Sequence, residues 1–69
     1  MKYAVVYERT PRNWSAYVPD LPGCIAAGAT RAEVERLIEE GIRLHVDLMR
    51  ERGEPIPEPT TGVGLVDLA

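Results

Sequence analysis

The side chains that could carry chemistry are few and scattered. Glu8 and Asp67 fall in stretches that read as strands, and Asp20 sits in a loop between two prolines. Two-metal phosphodiester hydrolysis needs several carboxylates converging on the ions. These three acids, with the others on the solvent face of a helix, are too few to make such a set. His45 is the only histidine, and a general base needs a nucleophile or an orienting acid beside it. No Ser-His-Asp or Cys-His spacing stands out. Cys24 is the only cysteine, so it lacks a second thiol for metal or redox chemistry. The pattern assigns no catalytic residue, no metal ligand and no cofactor, and it points to a binding protein rather than an enzyme.

Each of these residues has a plainer role. Asp20, in Pro19-Asp20-Leu21-Pro22-Gly23, is expected to accept from amides of its own loop and fix the turn. Pro19, Asp20, Pro22 and Gly23 are thus a structural loop, with Gly23 supplying a positive backbone angle or a close approach. Cys24 reads as a small buried strand residue. His45 reads as a core or interface histidine with one ring nitrogen hydrogen-bonded; because imidazole titrates near neutrality, it would make an assembly pH-sensitive.

The element that must organise these residues is a helix from Thr30 to Arg52. Val34, Ile38, Gly41, Ile42, His45 and Met49 recur at spacings of three and four, so they share one face, widened by Leu37, Leu44, Val46 and Leu48. Thr30 and Glu33 have the spacing of a capping box, in which the Glu33 carboxylate reaches back to the Thr30 amide. Gly53 is the stop, and Pro55 forbids continuation. Arg36–Glu40 and Glu39–Arg43 are weak pairs on the solvent face.

A wide apolar face needs a sheet to cover. Lys2 to Arg9 reads as a strand, apolar on both faces as far as Val6, as a central strand would be. Trp14 to Val18 alternates again after the Thr10–Asn13 turn, and Cys24 to Gly28 is a third strand of small residues. Trp14 is expected in the core. Tyr17, on the opposite face, is expected at a partner surface. After the helix, alternate prolines make residues 54–62 a stiff extended arm. Val63, Leu65, Val66 and Leu68 follow in a segment read as a fourth strand, which would associate by strand addition or arm exchange. The expectation is one domain over 1–69: a strand-strand-strand-helix core in 1–53, the arm in 54–62 and an association strand in 63–69. Its fold class is α+β, a small antiparallel sheet on one long helix.

The chain has 69 residues and a net charge of −3. A core this small, with no disulfide, is expected to complete its burial by self-association, as a homodimer or dimer of dimers, or against another protein. Phosphate-driven nucleic-acid binding needs clustered Lys and Arg, so none is expected from this chain, whereas a basic protein partner suits the charge. No apolar run spans a bilayer, the N-terminus lacks the apolar region of a signal peptide, and a lone thiol fits the cytoplasm.

Taken together, Trp14 through Cys24, Gly28-Ala29-Thr30-Arg31-Ala32-Glu33, and Gly53-Glu54-Pro55-Ile56-Pro57-Glu58-Pro59 resemble the HicB-like antitoxin family. The specific feature is Pro-Asp-Leu-Pro-Gly-Cys with Gly-Glu-Pro-Ile-Pro a helix-length downstream. The resemblance implies a truncated ribonuclease-H-like fold. It also implies a role in a type II toxin-antitoxin system, neutralising a small basic HicA-type mRNA-cleaving toxin by occluding its active site. Many such antitoxins carry a C-terminal DNA-binding segment. The sequence to Ala69 shows none, so operator binding is not carried over. The alternative is a solitary self-associating regulatory or scaffold module with another protein partner. A metal-dependent nuclease is the least favoured, since fold alone confers no activity.

Overall fold

The computed structural model describes residues 1–69. Three short strands, β1 (Val6–Arg9), β2 (Trp14–Tyr17) and β3 (Ile25–Gly28), precede one helix, α1 (Arg31–Glu51). They form an antiparallel sheet in the order β1-β2-β3 with the helix on one face. The architecture is the expected α+β layer pair.

Register sorts the side chains. Tyr7 lies opposite Ala16, and Ala16 opposite Ala26, while Trp14 faces Gly28. This is the helix-facing side, where Ala16 is fully buried and Tyr7, Trp14 and Ala26 pack around the core. Val6, Tyr17 and Ile25 form a row across the other face, because side chains alternate along a strand.

The first strand is shorter than its sequence pattern and lies at an edge; β2 is the central strand. Extending the register places Ala4 opposite Pro19, which has no N–H to donate, and the chain turns away there. Tyr3 and Val5 still pack against the core without a ladder.

The β2–β3 loop is two consecutive turns. The Leu21 amide donates to the Val18 carbonyl and the Cys24 amide to the Leu21 carbonyl, each at 3.1 Å. Gly23 sits at φ +85°, after Pro22, as a type II turn requires. The pair of turns drives Leu21 inward, where it is completely buried with Val34 and Ile38.

Helix boundaries follow their chemistry. Thr30 Oγ1 accepts from the Glu33 amide at 3.2 Å. The Glu33 carboxylate reaches one residue beyond the expected partner and accepts from the Ala29 amide at 3.3 Å. Gly28 makes room for this, since a Cβ there would lie 3.0 Å from Glu33 Cδ. At the other end, the Glu54 amide donates to Met49 and the Gly53 amide to Arg50, closing a Schellman motif around Gly53 at φ +68°.

The apolar face of α1 is wider than the sheet it covers. Val34, Ile38 and Val46 are buried, whereas Leu44 and Leu48 are exposed. His45 is half-buried at the rim and makes no hydrogen bond, unlike the expected histidine with an engaged ring nitrogen.

The expected fourth strand does not form within this chain. Residues 63–69 pair with no strand, and Val63, Leu65, Val66 and Leu68 are 74–97% exposed.

Candidate functional site

The proline arm is held at two points. The Tyr3 hydroxyl donates to the Pro57 carbonyl, while Ile56 packs against the core. The second point is Asp20. Its Oδ2 accepts from the amides of Thr60 (3.1 Å) and Thr61 (3.0 Å), and its Oδ1 from their hydroxyls (3.1 and 2.9 Å). The Asp20 carboxylate therefore does accept backbone amides, but from a segment forty residues away and not from its own loop. The Thr61 amide, then its hydroxyl, with Thr60 adding to both, holds the Asp20 carboxyl below its ordinary range.

This clamp decides where the tail begins. Pro19 and Pro22 fix the loop, the loop presents Asp20, and Asp20 fixes Thr61. Residues 62–69 then project from the β2–β3 end of the molecule.

Three surfaces are left open beside the clamp. The first is the outer sheet face, where Tyr17 is 41% and Ile25 74% exposed, in one row with Val6. The second is a shallow groove along the β3 edge, lined by Gly23, Cys24, Ile25, Gly41, Leu44, His45 and Leu48. It carries no Asp, Glu, Lys or Arg side chain. The third lies on the β1 side of the helix, among Met1, Tyr3, Ile42, Arg43, Val46, Asp47 and Arg50, and is rimmed by charge.

Tyr17 is thus exposed on the sheet face opposite the helix, as expected. Trp14 packs against the core, half-buried. Cys24 is buried, and that burial pushes its thiol pKa up, away from the reactive thiolate. The acids considered for metal binding are apart: Glu8 lies on the outer sheet face, Asp20 is engaged by Thr60 and Thr61, and Asp67 is in the projecting tail. No group of three or more His, Cys, Asp or Glu side chains is placed to hold a metal ion. No helix is long and apolar enough to cross a membrane.

Two features escape sequence reasoning. One is the Thr60–Thr61 pair, whose only signal is two adjacent hydroxyls after a proline run. The other is a stack at the helix N-terminus, where the Arg31 guanidinium lies 4.5 Å from the Tyr7 ring centre and 5.7 Å from that of Trp14. Arg31 Nε also donates to Glu35 at 2.9 Å. Burial, chiefly, with the Glu35 charge next, raises the Tyr7 pKa, and Arg31 opposes the rise.

Comparison with known proteins gives this geometry a setting. The description "HicB-like antitoxin of bacterial toxin-antitoxin system" belongs to a family that matches residues 3–66. An uncharacterised 14.9 kDa protein of Haemophilus phage HP1 is 34% identical over 58 residues, covering 84% of this chain and 44% of that protein. UPF0150 protein Ta0767 of Thermoplasma acidophilum is also 34% identical over 58 residues, covering 83% of this chain and 84% of that protein. Antitoxin HicB 2 of Photorhabdus laumondii is 30% identical over 61 residues, covering 88% and 44% respectively. The chain thus spans less than half the length of two of these relatives. Among solved structures, a chain of a HicA3 and HicB3 toxin-antitoxin complex superposes with a TM-score of 0.71 at 30% identity, over 87% of this chain and 70% of that one. With a family match over nearly its whole length and a fold shared with a chain of that complex, the chain belongs to the HicB-like antitoxin family.

Proposed function

We propose that this chain neutralises a small basic HicA-type toxin by covering its active site, in the cytoplasm, and that its work is burial rather than catalysis. The observation that carries the reading is the 0.71 TM-score likeness to a chain of a HicA3–HicB3 complex. Two features of the surface support it. The sheet's outer face is open, with Tyr17 and Ile25 presented side by side from neighbouring strands. Aromatic anchors of this kind dominate protein interfaces. The net charge of −3 would steer a basic partner towards the chain.

The test is affinity capture of the tagged chain from its native cells, followed by an RNA-cleavage assay on what is retained. A stoichiometric small basic protein whose RNA cleavage is suppressed by added chain is the expected result. Tyr17→Asp, at an exposed position, should then weaken suppression at least tenfold. Retention of a basic protein whose cleavage is unaffected would overturn neutralisation. Retention of the chain alone would instead favour the second reading, a solitary self-associating module, for which the exposed tail is the specific support.

A further inference from the structure

The molecule presents two unfinished surfaces that fit each other. One is the tail: Val63, Leu65, Val66 and Leu68 stand 74, 97, 85 and 90% exposed, with Asp67 the only charged side chain among residues 63–69. The other is the free edge of β3. In the order β1-β2-β3 that strand has a neighbour on one side only. Its residues, Ile25 to Gly28, carry no charge and no proline, the usual guards of an open edge. Beside it lie Ile25, Leu44 and Leu48, exposed by 74, 63 and 39%. The opposite edge, β1, is guarded: it bears Glu8 and Arg9, and the adjacent groove is rimmed by Arg43, Asp47 and Arg50.

We propose that residues 63–69 of one copy add as a strand to the free β3 edge of a second copy, seating their apolar side chains against Ile25, Leu44 and Leu48, with the exchange made in both directions.

Several observations converge on a second copy as the occupant. The tail touches neither edge of its own sheet, yet it is rooted firmly, because Asp20 fixes Thr60 and Thr61 through four hydrogen bonds. The root lies in the loop that leads into β3, so the donor segment of each copy leaves beside its own acceptor edge. That is the arrangement a twofold exchange needs in order to close. Extended at about 3.3 Å per residue, the seven-residue tail reaches roughly 23 Å, more than enough to span a four-residue strand. Its pattern suits the place. Extended as a strand, the tail would turn Val63 and Leu65 one way and Val66 and Leu68 the other, matching an edge with Leu44 and Leu48 on the helix and Ile25 on the sheet's outer side. The projecting arm also gives the single chain a radius of gyration of 13.6 Å, against about 11 Å for a compact chain of this length.

The experiment is sedimentation of the full chain and three variants at tens of micromolar. The wild-type chain should run at twice its 7.6 kDa mass or at a multiple of it. A donor-defective chain, Leu65→Asp with Val66→Asp, and an acceptor-defective chain, Ile25→Asp with Leu44→Asp, should each run as monomers. Mixed together they should recover a dimer, because one intact tail then meets one intact edge. All four positions are exposed, so the fold should be kept, as circular dichroism would report. Chain truncated after Thr61 keeps the Asp20 clamp and should also be monomeric, which covers the case of a variant that fails to fold. A wild-type monomer, a truncated chain that keeps the oligomeric mass, or a mixture that stays monomeric would each overturn the proposal.

Discussion

Asp20 accepts both the amide and the hydroxyl hydrogen of Thr61, at 3.0 and 2.9 Å, across forty-one positions of sequence. With the matching pair from Thr60, this one carboxylate saturates its two oxygens on the end of the proline arm. The arm is stiff because its prolines restrict it, and it needs only a few anchors to be positioned. Ile56 anchors it in the core, Tyr3 at Pro57, and Asp20 at its far end.

Asp20→Asn should therefore free the end of the arm while leaving the core intact. Asparagine has one acceptor oxygen where Asp20 has two, and it turns an NH2 group towards two donors. Amide exchange at Thr60 and Thr61 should rise to the rate of an unstructured chain, with the helix amides unchanged. Acid should do the same to the wild type. The Asp20 pKa is lowered in the folded chain, so its contribution is complete above the unfolded carboxyl value and is lost as pH falls through the depressed one. Arm release, followed by exchange or by a label at Thr61, should be confined to that acid window. Release that proceeds at neutral pH would contradict the assignment.

Gly41, inside the helix, and Gly53, just past its end, should respond in opposite directions to the same substitution. A Cβ at Gly41 would meet only Cys24 Sγ, at 3.8 Å, an ordinary contact. Glycine inside a helix costs about 0.5–1 kcal/mol against alanine. Gly41→Ala should accordingly stabilise the chain by about that amount, raising the melting temperature by roughly 4–8 °C per kcal/mol in a domain of this size. Gly53 has equally open space around it but sits at φ +68°. There a side chain meets a penalty of about 1–2 kcal/mol, and Gly53→Ala should lower the melting temperature. Thermal unfolding of both variants measures the contrast directly.

Leu21 is the residue on which the core depends most for its position. It lies in a loop, yet it is completely buried. Leu21→Ala should cost about 2–5 kcal/mol, the range for a leucine truncated in a close-packed core. A domain this small has little more than that in reserve. Urea unfolding of the variant should show a largely unfolded population at room temperature.

Sequence pattern captured what is local and missed what is brought together from afar. The helix start at Thr30, its stop at Gly53 and the alternation in β2 are all set by neighbours within one turn or one pleat, so they are legible. Tyr17 on the outer face follows from the same alternation. The length of β1 is different, because it depends on Pro19 in another strand denying a partner to Ala4. Leu21 reads as part of a breaker sequence, and only the two turns around it point it inward. Asp20 could be seen to be an acceptor, but its donors lie beyond the helix. The tail has the composition of a strand but pairs with no edge of its own chain. Composition marks a strand and does not choose its partner.

The stack of Arg31 on Tyr7 and Trp14 gives a last expectation, at alkaline pH. The guanidinium covers both rings, and such contacts contribute about 0.5–1 kcal/mol at exposed sites. Arg31→Ala should therefore destabilise the chain by about that amount, and Arg31→Lys by less, since lysine keeps the charge but not the flat stacking surface. The stack also sets the Tyr7 titration. Burial first, then the charges of Glu35 and Glu39, raise this phenol above its ordinary value, while Arg31 pulls it back. Because the folded pKa is raised, the stabilising contribution is complete below the unfolded tyrosine value and is lost as pH rises through the folded one. Removing Arg31 should move the Tyr7 transition still higher. Ultraviolet titration in a Tyr3→Phe, Tyr17→Phe background isolates that phenol, and a transition that stays put or falls in the Arg31→Ala variant would refute the stack's electrostatic role.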